Sequence, residues 1–267
     1  MAAKKKPVKT KTSSPAAKCP KSQIKTIGVL TGGGDCPGLN AVVRAVTKTA
    51  INKYGLSVMG IQDGFLGLIE KRMNLLRTED VSNILTQGGT ILGTSNKANP
   101  SKFPMFFNGQ KQITDVRDNC IYNAREMGLD AIVCIGGDGT MSGAASLAEK
   151  GLPFIGVPKT IDNDLYGTEI TFGFNTAVVT AAEAIDKVHT TASSHHRVMI
   201  VEVMGRYAGW IALHAGVASG SDVILMPEIP YDLDAICNYV LQRSRHGKRF
   251  SIITVAEGAK PKGGEMV

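Results

Sequence analysis

The chain has 267 residues, of which 43% are hydrophobic and 20% are charged. This length suits one large α/β domain or two smaller ones, and the composition is ordinary for a globular protein. No apolar run reaches the roughly 18 residues that a membrane span needs, and the 5 cysteines show neither paired spacing nor neighbouring histidines. A membrane-spanning chain and a disulfide scaffold are therefore excluded, and we expect a reduced, cytoplasmic protein.

The net charge of +7 belongs to the first residues of the chain. Residues 1–25 contain eight lysines and no acidic residue, so the rest of the chain carries a charge near −1. Their richness in Lys, Pro, Ser and Ala predicts a disordered basic tail over residues 1–24. We expect at most a weak contact of this tail with nucleic acid or another acidic surface, and no other nucleic-acid binding.

Beyond the tail, strand-like and helix-like segments alternate. Short apolar runs predict strands at residues 27–30, 56–61, 130–135, 153–157, 198–203, 222–225 and 250–255. Helical spacing of apolar residues predicts helices at 39–53, 113–127, 140–149, 175–190, 207–218 and 233–245. Loops are expected at 87–93, which glycines interrupt, and at 158–171, which is polar. Continuous apolar strands separated by helices predict an α/β fold with a mostly parallel sheet covered on both faces.

The first polar cluster, TGGGDCPG, lies between the first predicted strand and the first predicted helix. A glycine loop at a helix N-terminus offers backbone N–H groups to an anion. The cluster fits the G-x-G-x-x-G dinucleotide pattern poorly. It favours a phosphate-binding loop, with a purely structural turn as the alternative.

The second cluster, Gly136-Gly137-Asp138-Gly139-Thr140, follows the strand predicted at 130–135. Mg²⁺ commonly takes one or two carboxylates and completes its shell with water and substrate oxygens. The cluster therefore indicates a site for Mg²⁺ and phosphate. In the alternative interpretation Asp138 is a loop residue and Thr140 is a helix N-cap.

The third cluster, PKTIDND, follows the strand predicted at 153–157 and places Asp162 and Asp164 one residue apart. Like charges this close raise at least one carboxyl pKa, which suits a general base. Lys159 supplies a positive charge that could meet a transferring phosphoryl group. Ordinary turn residues remain the alternative on composition alone.

Taken together, the motifs resemble those of the phosphofructokinase family over residues 24–258. The segments occur in the family's order and at its spacing: IGVLTGGGDCPGLNAVVRAV, GGTILGTSN, IGGDGT, PKTIDND, TFGFNTA, HHRVMIVEVMGRYAGW and TVAEG. Each short motif is weak evidence alone, whereas the ordered set is specific. The resemblance implies two similar three-layer α/β/α lobes with mostly parallel sheets, the second of them incomplete. It also implies an enzyme that phosphorylates fructose 6-phosphate in glycolysis.

For the phosphate donor, the resemblance implies that ATP is the co-substrate and that Asp138 holds Mg²⁺. The residues matched to the donor site are Gly33, Gly137, Asp138, Gly139 and Thr140. We accordingly expect residues 25–172 to form the donor lobe.

For the sugar, the resemblance implies that Asp162 accepts the proton of the 1-hydroxyl group, supported by Asp164. Arg206 is expected near the reacting phosphate. The residues matched to the sugar phosphate are Thr160, Ile161, Asp162, Met204, Gly205, Arg206 and Glu257. Arg197 matches a residue that reaches the sugar 6-phosphate from a neighbouring subunit, so a homo-oligomer, either a dimer or a tetramer, is expected. Residues 173–267 are predicted to form the sugar-phosphate lobe.

Two departures concern the donor. Many ATP-using relatives carry an arginine where this chain has Asn96 and Lys97, and Lys97 would supply the charge. Relatives that use pyrophosphate carry a carboxylate at the position of Gly139 and a lysine at that of Lys159. A side chain at position 139 would crowd a nucleotide's α-phosphate, so ATP is favoured and pyrophosphate is the alternative donor.

A third departure concerns the end of the chain. Relatives continue with an LGH-x-x-RGG-like segment that binds the sugar 6-phosphate, and nothing after Gly258 supplies it. We expect a fragment, with a defective enzyme as the alternative. Other competing interpretations are an NAD or lipid kinase relative that shares the GGDGT loop, against which PKTIDND and VMGRYAGW argue, and a non-catalytic regulatory subunit.

Overall fold

The computed structural model describes residues 24–107 and 109–265, so the predicted tail lies almost entirely outside the described residues. The strands are β1 (Thr26–Thr31), β2 (Ser57–Ile61), β3 (Met73–Leu76), β4 (Phe103–Phe107), β5 (Gln110–Thr114), β6 (Ala131–Gly136), β7 (Phe154–Thr160), β8 (Phe172–Gly173), β9 (Val198–Val203), β10 (Val223–Leu225) and β11 (Ser251–Ala256). The helices are α1 (Leu39–Tyr54), α2 (Phe65–Glu70), α3 (Arg117–Glu126), α4 (Asp138–Ala148), α5 (Phe174–His195), α6 (Trp210–Ala218) and α7 (Leu233–Arg245).

The larger sheet has six strands in the order β3-β2-β1-β6-β7-β8. Only the edge strand β3 runs antiparallel to its neighbour, since β1 pairs in parallel with β2 and β6, and β7 with β6 and β8. The fold is therefore the mostly parallel α/β arrangement that the alternating pattern predicts.

Both faces of the larger sheet are covered. Leu30, Ile132 and Cys134 point to one face, where they pack with buried residues of α2, α3 and α4. Val29 and Ile135 point to the other face and pack with α1. Because consecutive strand residues face opposite sides of a sheet, burial of both sets explains why these strands are continuously apolar.

The smaller sheet consists of three parallel strands in the order β10-β11-β9. Helices α5 and α6 pack on it, and Ile185, Ile211 and Ile252 lie in the two apolar clusters formed there. By contrast, no residue of α7 is buried.

The predicted elements differ from the structure in several places, among them the unpredicted strands β4 and β8 and the longer helix α5. The predicted helix 113–127 begins only at Arg117, because residues up to Thr114 belong to β5, which pairs with β4. Neither α2 nor β3 was expected, since both are short and together span only residues 65–76. The expected polar loop 158–171 begins inside β7, which continues to Thr160. Among the described residues, no helix is both long and apolar enough to span a membrane.

Candidate active site

A cavity of about 720 Å³ lies where the polar clusters meet. Because β1, β6 and β7 are parallel neighbours, their carboxyl ends share one edge of the sheet, where ligands of such folds bind. All three predicted clusters line this cavity. Their lining residues include Gly33, Gly34, Asp35, Gly137, Asp138, Gly139, Thr140, Lys159, Thr160, Ile161, Asp162 and Asp164.

The glycine loop after β1 is held from two sides. The Thr94 hydroxyl donates to the carbonyl oxygen of Gly33 at 2.6 Å, and the Gly33 N–H donates to the carbonyl oxygen of Ser95 at 3.3 Å. From the other side, the Lys159 ammonium donates to the carbonyl oxygen of Gly34 at 2.6 Å. The loop and the segment from Thr94 onward therefore form one wall.

Helix α4 begins at the second cluster. Gly137 is its N-cap and makes no side-chain capping bond, while Asp138 lies in the first turn. Thr140 is buried inside the helix rather than serving as the N-cap, so that alternative interpretation is wrong. A Cβ atom added at Gly32 or Gly136 would lie 2.6 or 2.4 Å from Thr140 atoms, so the close approach of both strand ends to Thr140 requires glycine.

Asp162 is buried and incompletely paired. Its Oδ2 accepts a hydrogen bond from the Thr160 hydroxyl at 3.3 Å, whereas its Oδ1 is buried without a partner among the described residues. Burial is the largest cause that raises the pKa of Asp162, and the neighbouring Asp164 carboxylate raises it further. The like charge of Asp164 predicts the direction of this shift from the sequence, but burial of Asp162 is the greater cause.

Met204 and Arg206, which follow β9 of the smaller sheet, line the same cavity. They belong to a tight turn in which Gly205 has φ 142° and Arg206 has φ 52°. Glu257 Oε1 accepts hydrogen bonds from the N–H groups of Gly205 and Arg206, at 3.1 and 2.5 Å. Glu257 therefore supports the turn and does not itself line the cavity.

Besides Gly205 and Glu257, two further predicted site residues do not line the cavity. Lys97 is exposed and is not a lining residue, although its neighbours Asn96 and Ala98 are. Arg197 is exposed immediately before β9, at the amino end of that strand, whereas the cavity lies at carboxyl ends. Neither residue lines the cavity in this structure.

Sequence reasoning missed the apolar end of the cavity, formed by Phe65, Ala98, Pro100 and Gly143. Phe65 belongs to α2, which was not predicted, and a Cβ atom at Gly143 would lie 2.8 Å from its ring. Gly143 lies one turn after Gly139 within α4. A glycine inside a helix is the sequence signal that could have indicated a close contact at this end of the cavity.

Comparison with known proteins agrees with this arrangement. The phosphofructokinase family model matches residues 26–267. An ATP-dependent 6-phosphofructokinase 2 of Clostridium perfringens is 56% identical over 91% of this chain and 67% of its own length. A phosphofructokinase structure from Saccharomyces cerevisiae superposes with a TM-score of 0.78 at 36% identity, over 90% of this chain and 34% of that one. A structure of a pyrophosphate-dependent phosphofructokinase from Marinobacter aquaeolei gives a TM-score of 0.76 at 25% identity, over 90% of this chain and 62% of that one.

The chain belongs to the phosphofructokinase family. The family membership and the α/β fold expected from the motifs are thereby confirmed. The chain spans about two thirds of the length of the Clostridium relative.

Proposed function

We propose that the protein is an ATP-dependent 6-phosphofructokinase, which transfers the terminal phosphoryl group of ATP to the 1-hydroxyl of fructose 6-phosphate. The observation that carries the proposal is the position of Asp162. It is a buried carboxylate whose Oδ1 has no partner among the described residues, and it lines the same cavity as the glycine loops and Arg206. A base that removes the hydroxyl proton must stand between phosphate donor and acceptor.

Asp162 acts as the general base. Its carboxylate lines the cavity beside Asp164 and Arg206, and burial raises its pKa, which brings its basicity closer to neutral pH. Asp164 keeps that pKa raised, while Thr160 orients the carboxylate through Oδ2. Arg206 faces the same cavity, where its positive charge stabilises the phosphoryl group as it moves.

The donor side suits ATP and Mg²⁺. Asp138 is exposed at the cavity and has no ion-pair partner among the described residues, and no group of three or more metal-ligating side chains occurs there. A lone carboxylate beside a phosphate site fits Mg²⁺, which relies on water and phosphate oxygens, and does not fit an all-protein metal cage. When bound, Mg²⁺ would neutralise phosphate charge, and Asp138 would hold it.

Gly139 favours a nucleotide as the donor. A Cβ atom at Gly139 would have open space around it, so the absence of a side chain leaves room beside the phosphates. The curated relative at 56% identity is named ATP-dependent, whereas the structure named pyrophosphate-dependent is 25% identical. Lys159 does not favour pyrophosphate over ATP, because its ammonium donates a hydrogen bond to the carbonyl oxygen of Gly34.

The sugar 6-phosphate requires a second copy of the chain. Arg197, the proposed contact to that phosphate, is exposed at the strand end opposite the cavity. Because Arg197 does not line the cavity of its own chain, we propose that it contacts the cavity of a neighbouring subunit in a homo-oligomer, either a dimer or a tetramer.

The test is a coupled assay of fructose 1,6-bisphosphate formation by the full-length protein, with either ATP or pyrophosphate. We expect turnover with ATP, and Asp162→Asn should lower kcat by about 10²–10⁴-fold because the general base is lost. Asp118→Asn is the matched control, since Asp118 is an exposed carboxylate on α3, and it should keep wild-type turnover.

Turnover with pyrophosphate alone would contradict the ATP proposal. Unchanged turnover of Asp162→Asn would overturn the assignment of the base. A wild-type protein that is folded but inactive with both donors would favour the regulatory subunit instead.

A further inference from the structure

The glycine loop contains two consecutive carbonyl groups, and a different side chain holds each of them. The Gly33 carbonyl oxygen accepts from the Thr94 hydroxyl, and the Gly34 carbonyl oxygen accepts from the Lys159 ammonium, each at 2.6 Å. Thr94 comes from the segment after β3, whereas Lys159 comes from β7. Two separate elements therefore determine the orientation of two successive peptide groups.

The orientation of a carbonyl also determines that of the next N–H group. In a trans peptide the C=O and N–H bonds point in opposite directions, and the described residues contain no cis peptide bond. The Gly34 N–H is therefore turned away from Thr94, and the Asp35 N–H is turned away from Lys159. Neither N–H group has a hydrogen-bond partner among the described residues, and both residues line the cavity.

Backbone N–H groups that border a cavity without a partner can each donate to an anion there. Their orientation would not persist in the loop by itself, because glycine adopts many backbone conformations and Gly33 has φ 81°. Lys159 is only 5% exposed and pairs with no carboxylate in the described part of the chain, so no counter-charge neutralises its ammonium group beside the loop. The arrangement combines fixed donors with an uncompensated cation.

The Thr94 segment is itself anchored. The Thr31 hydroxyl donates to the carbonyl oxygen of Gly93 at 2.8 Å, and the Asp63 N–H donates to that of Leu92, also at 2.8 Å. The segment that carries Thr94 is therefore fixed to the ends of strands β1 and β2, and Thr94 in turn holds the glycine loop.

We infer that Thr94 and Lys159 are positioning residues, which hold the carbonyls of Gly33 and Gly34 so that the N–H groups of Gly34 and Asp35 face the donor phosphates. The identity of the anion as a donor phosphate rests on the proposed function. Neither residue exchanges a proton or a phosphoryl group in this role.

Thr94→Val tests the inference, because valine keeps the shape of threonine and removes its hydroxyl group. The loss of one hydrogen bond should raise the KM for ATP roughly 3- to 10-fold and leave the KM for fructose 6-phosphate unchanged. Thr94→Ser keeps the hydroxyl and should restore the wild-type KM for ATP. Thr180→Val removes an exposed hydroxyl from α5 and is the matched control.

A binding measurement separates this inference from the proposed function. Calorimetric titration with the magnesium complex of adenylyl imidodiphosphate should show weaker binding by Thr94→Val than by the wild type and Thr94→Ser. Lys159→Met should weaken binding more, since it also removes a charge. If the wild type binds this probe but has no turnover, the proposed function fails and the inference is still tested by the binding series.

Equal binding by Thr94→Val and the wild type would overturn the inference, as would the absence of any probe binding by the wild type. A rise in both KM values, with a lowered thermal midpoint that Thr94→Ser does not restore, would also overturn it, because it would assign Thr94 a general structural role.

Discussion

At the scale of single residues, the basicity of Asp162 depends on how far its carboxylate is removed from water. The residue is 7% exposed, so its carboxylate loses most of the hydration that stabilises the charged form. The Arg206 guanidinium acts in the opposite direction on the pKa of Asp162, but burial and Asp164 outweigh it. A carboxylate in this state is a stronger base than one in water.

The raised pKa predicts the acid limb of the pH profile. Asp162 must be ionised to accept a proton, so kcat/KM should fall as pH decreases through its pKa, which lies above the ordinary value of 3.8. Asp164→Asn removes a like charge and should move this limb to lower pH. The measurement is kcat/KM for fructose 6-phosphate across pH 4–8, at saturating ATP.

A conservative variant provides the comparison for that profile. Asp234→Asn changes an exposed carboxylate in the first turn of α7 and should leave the limb in place. A limb that stays unchanged, or moves to higher pH, in Asp164→Asn would show that Asp164 does not raise the pKa of Asp162.

Helix α7 shows how an element without buried residues is held at the scale of secondary structure. Arg243 and Asp222 form an ion pair of 2.6 Å, with side chains 20% and 16% exposed. Asp222 also accepts from the N–H of Ile252, and Arg243 donates to the Ser251 hydroxyl. The pair therefore joins α7 to β11 and to the start of β10.

Asp222→Asn should lower the free energy of unfolding by about 1–3 kcal/mol, because it leaves a poorly hydrated guanidinium without its counter-charge. Urea unfolding followed by circular dichroism measures the change. Glu126→Gln removes the exposed Lys71–Glu126 pair and should cost no more than about 1 kcal/mol. Equal losses in the two variants would contradict the special role of the half-buried pair.

Long elements with a clear period were predicted well from the sequence, and short ones were not. The strand at Val198–Val203 and the helix at Leu233–Arg245 agree with their predicted bounds. Helix α2 and strand β3 have only six and four residues, too few for a period to appear. The missed α2 is also the reason that the apolar end of the cavity was missed.

The whole molecule divides its apolar cores between two sheets. Two clusters cover the faces of the larger sheet, and two others lie between the smaller sheet and its helices. Ile161 packs at the edge of one cluster from each sheet. We propose that residues 25–172 and 173–267 are distinct lobes, with the donor and sugar sites on opposite sides of Ile161.

If that division is correct, residues 25–172 expressed alone should fold, because both faces of their sheet are covered by their own helices. We expect a single cooperative urea transition and dispersed amide resonances. As a comparison, residues 25–148 lack β7 and should not give dispersed resonances, since β6 would lose a neighbouring strand. A collapsed, non-cooperative state of residues 25–172 would contradict the division.

The class of fold, the family and the three polar clusters could be predicted from the sequence, because these depend on local patterns: strand period, helix period and short motifs in a specific order. The support of the Gly205–Arg206 turn by Glu257, and of the glycine loop by Thr94 and Lys159, became visible only in the folded chain. These partners lie about 50 to 125 residues apart in the chain. Their contacts follow from which strands are neighbours and where the strands end, and no local pattern in the sequence encodes that geometry.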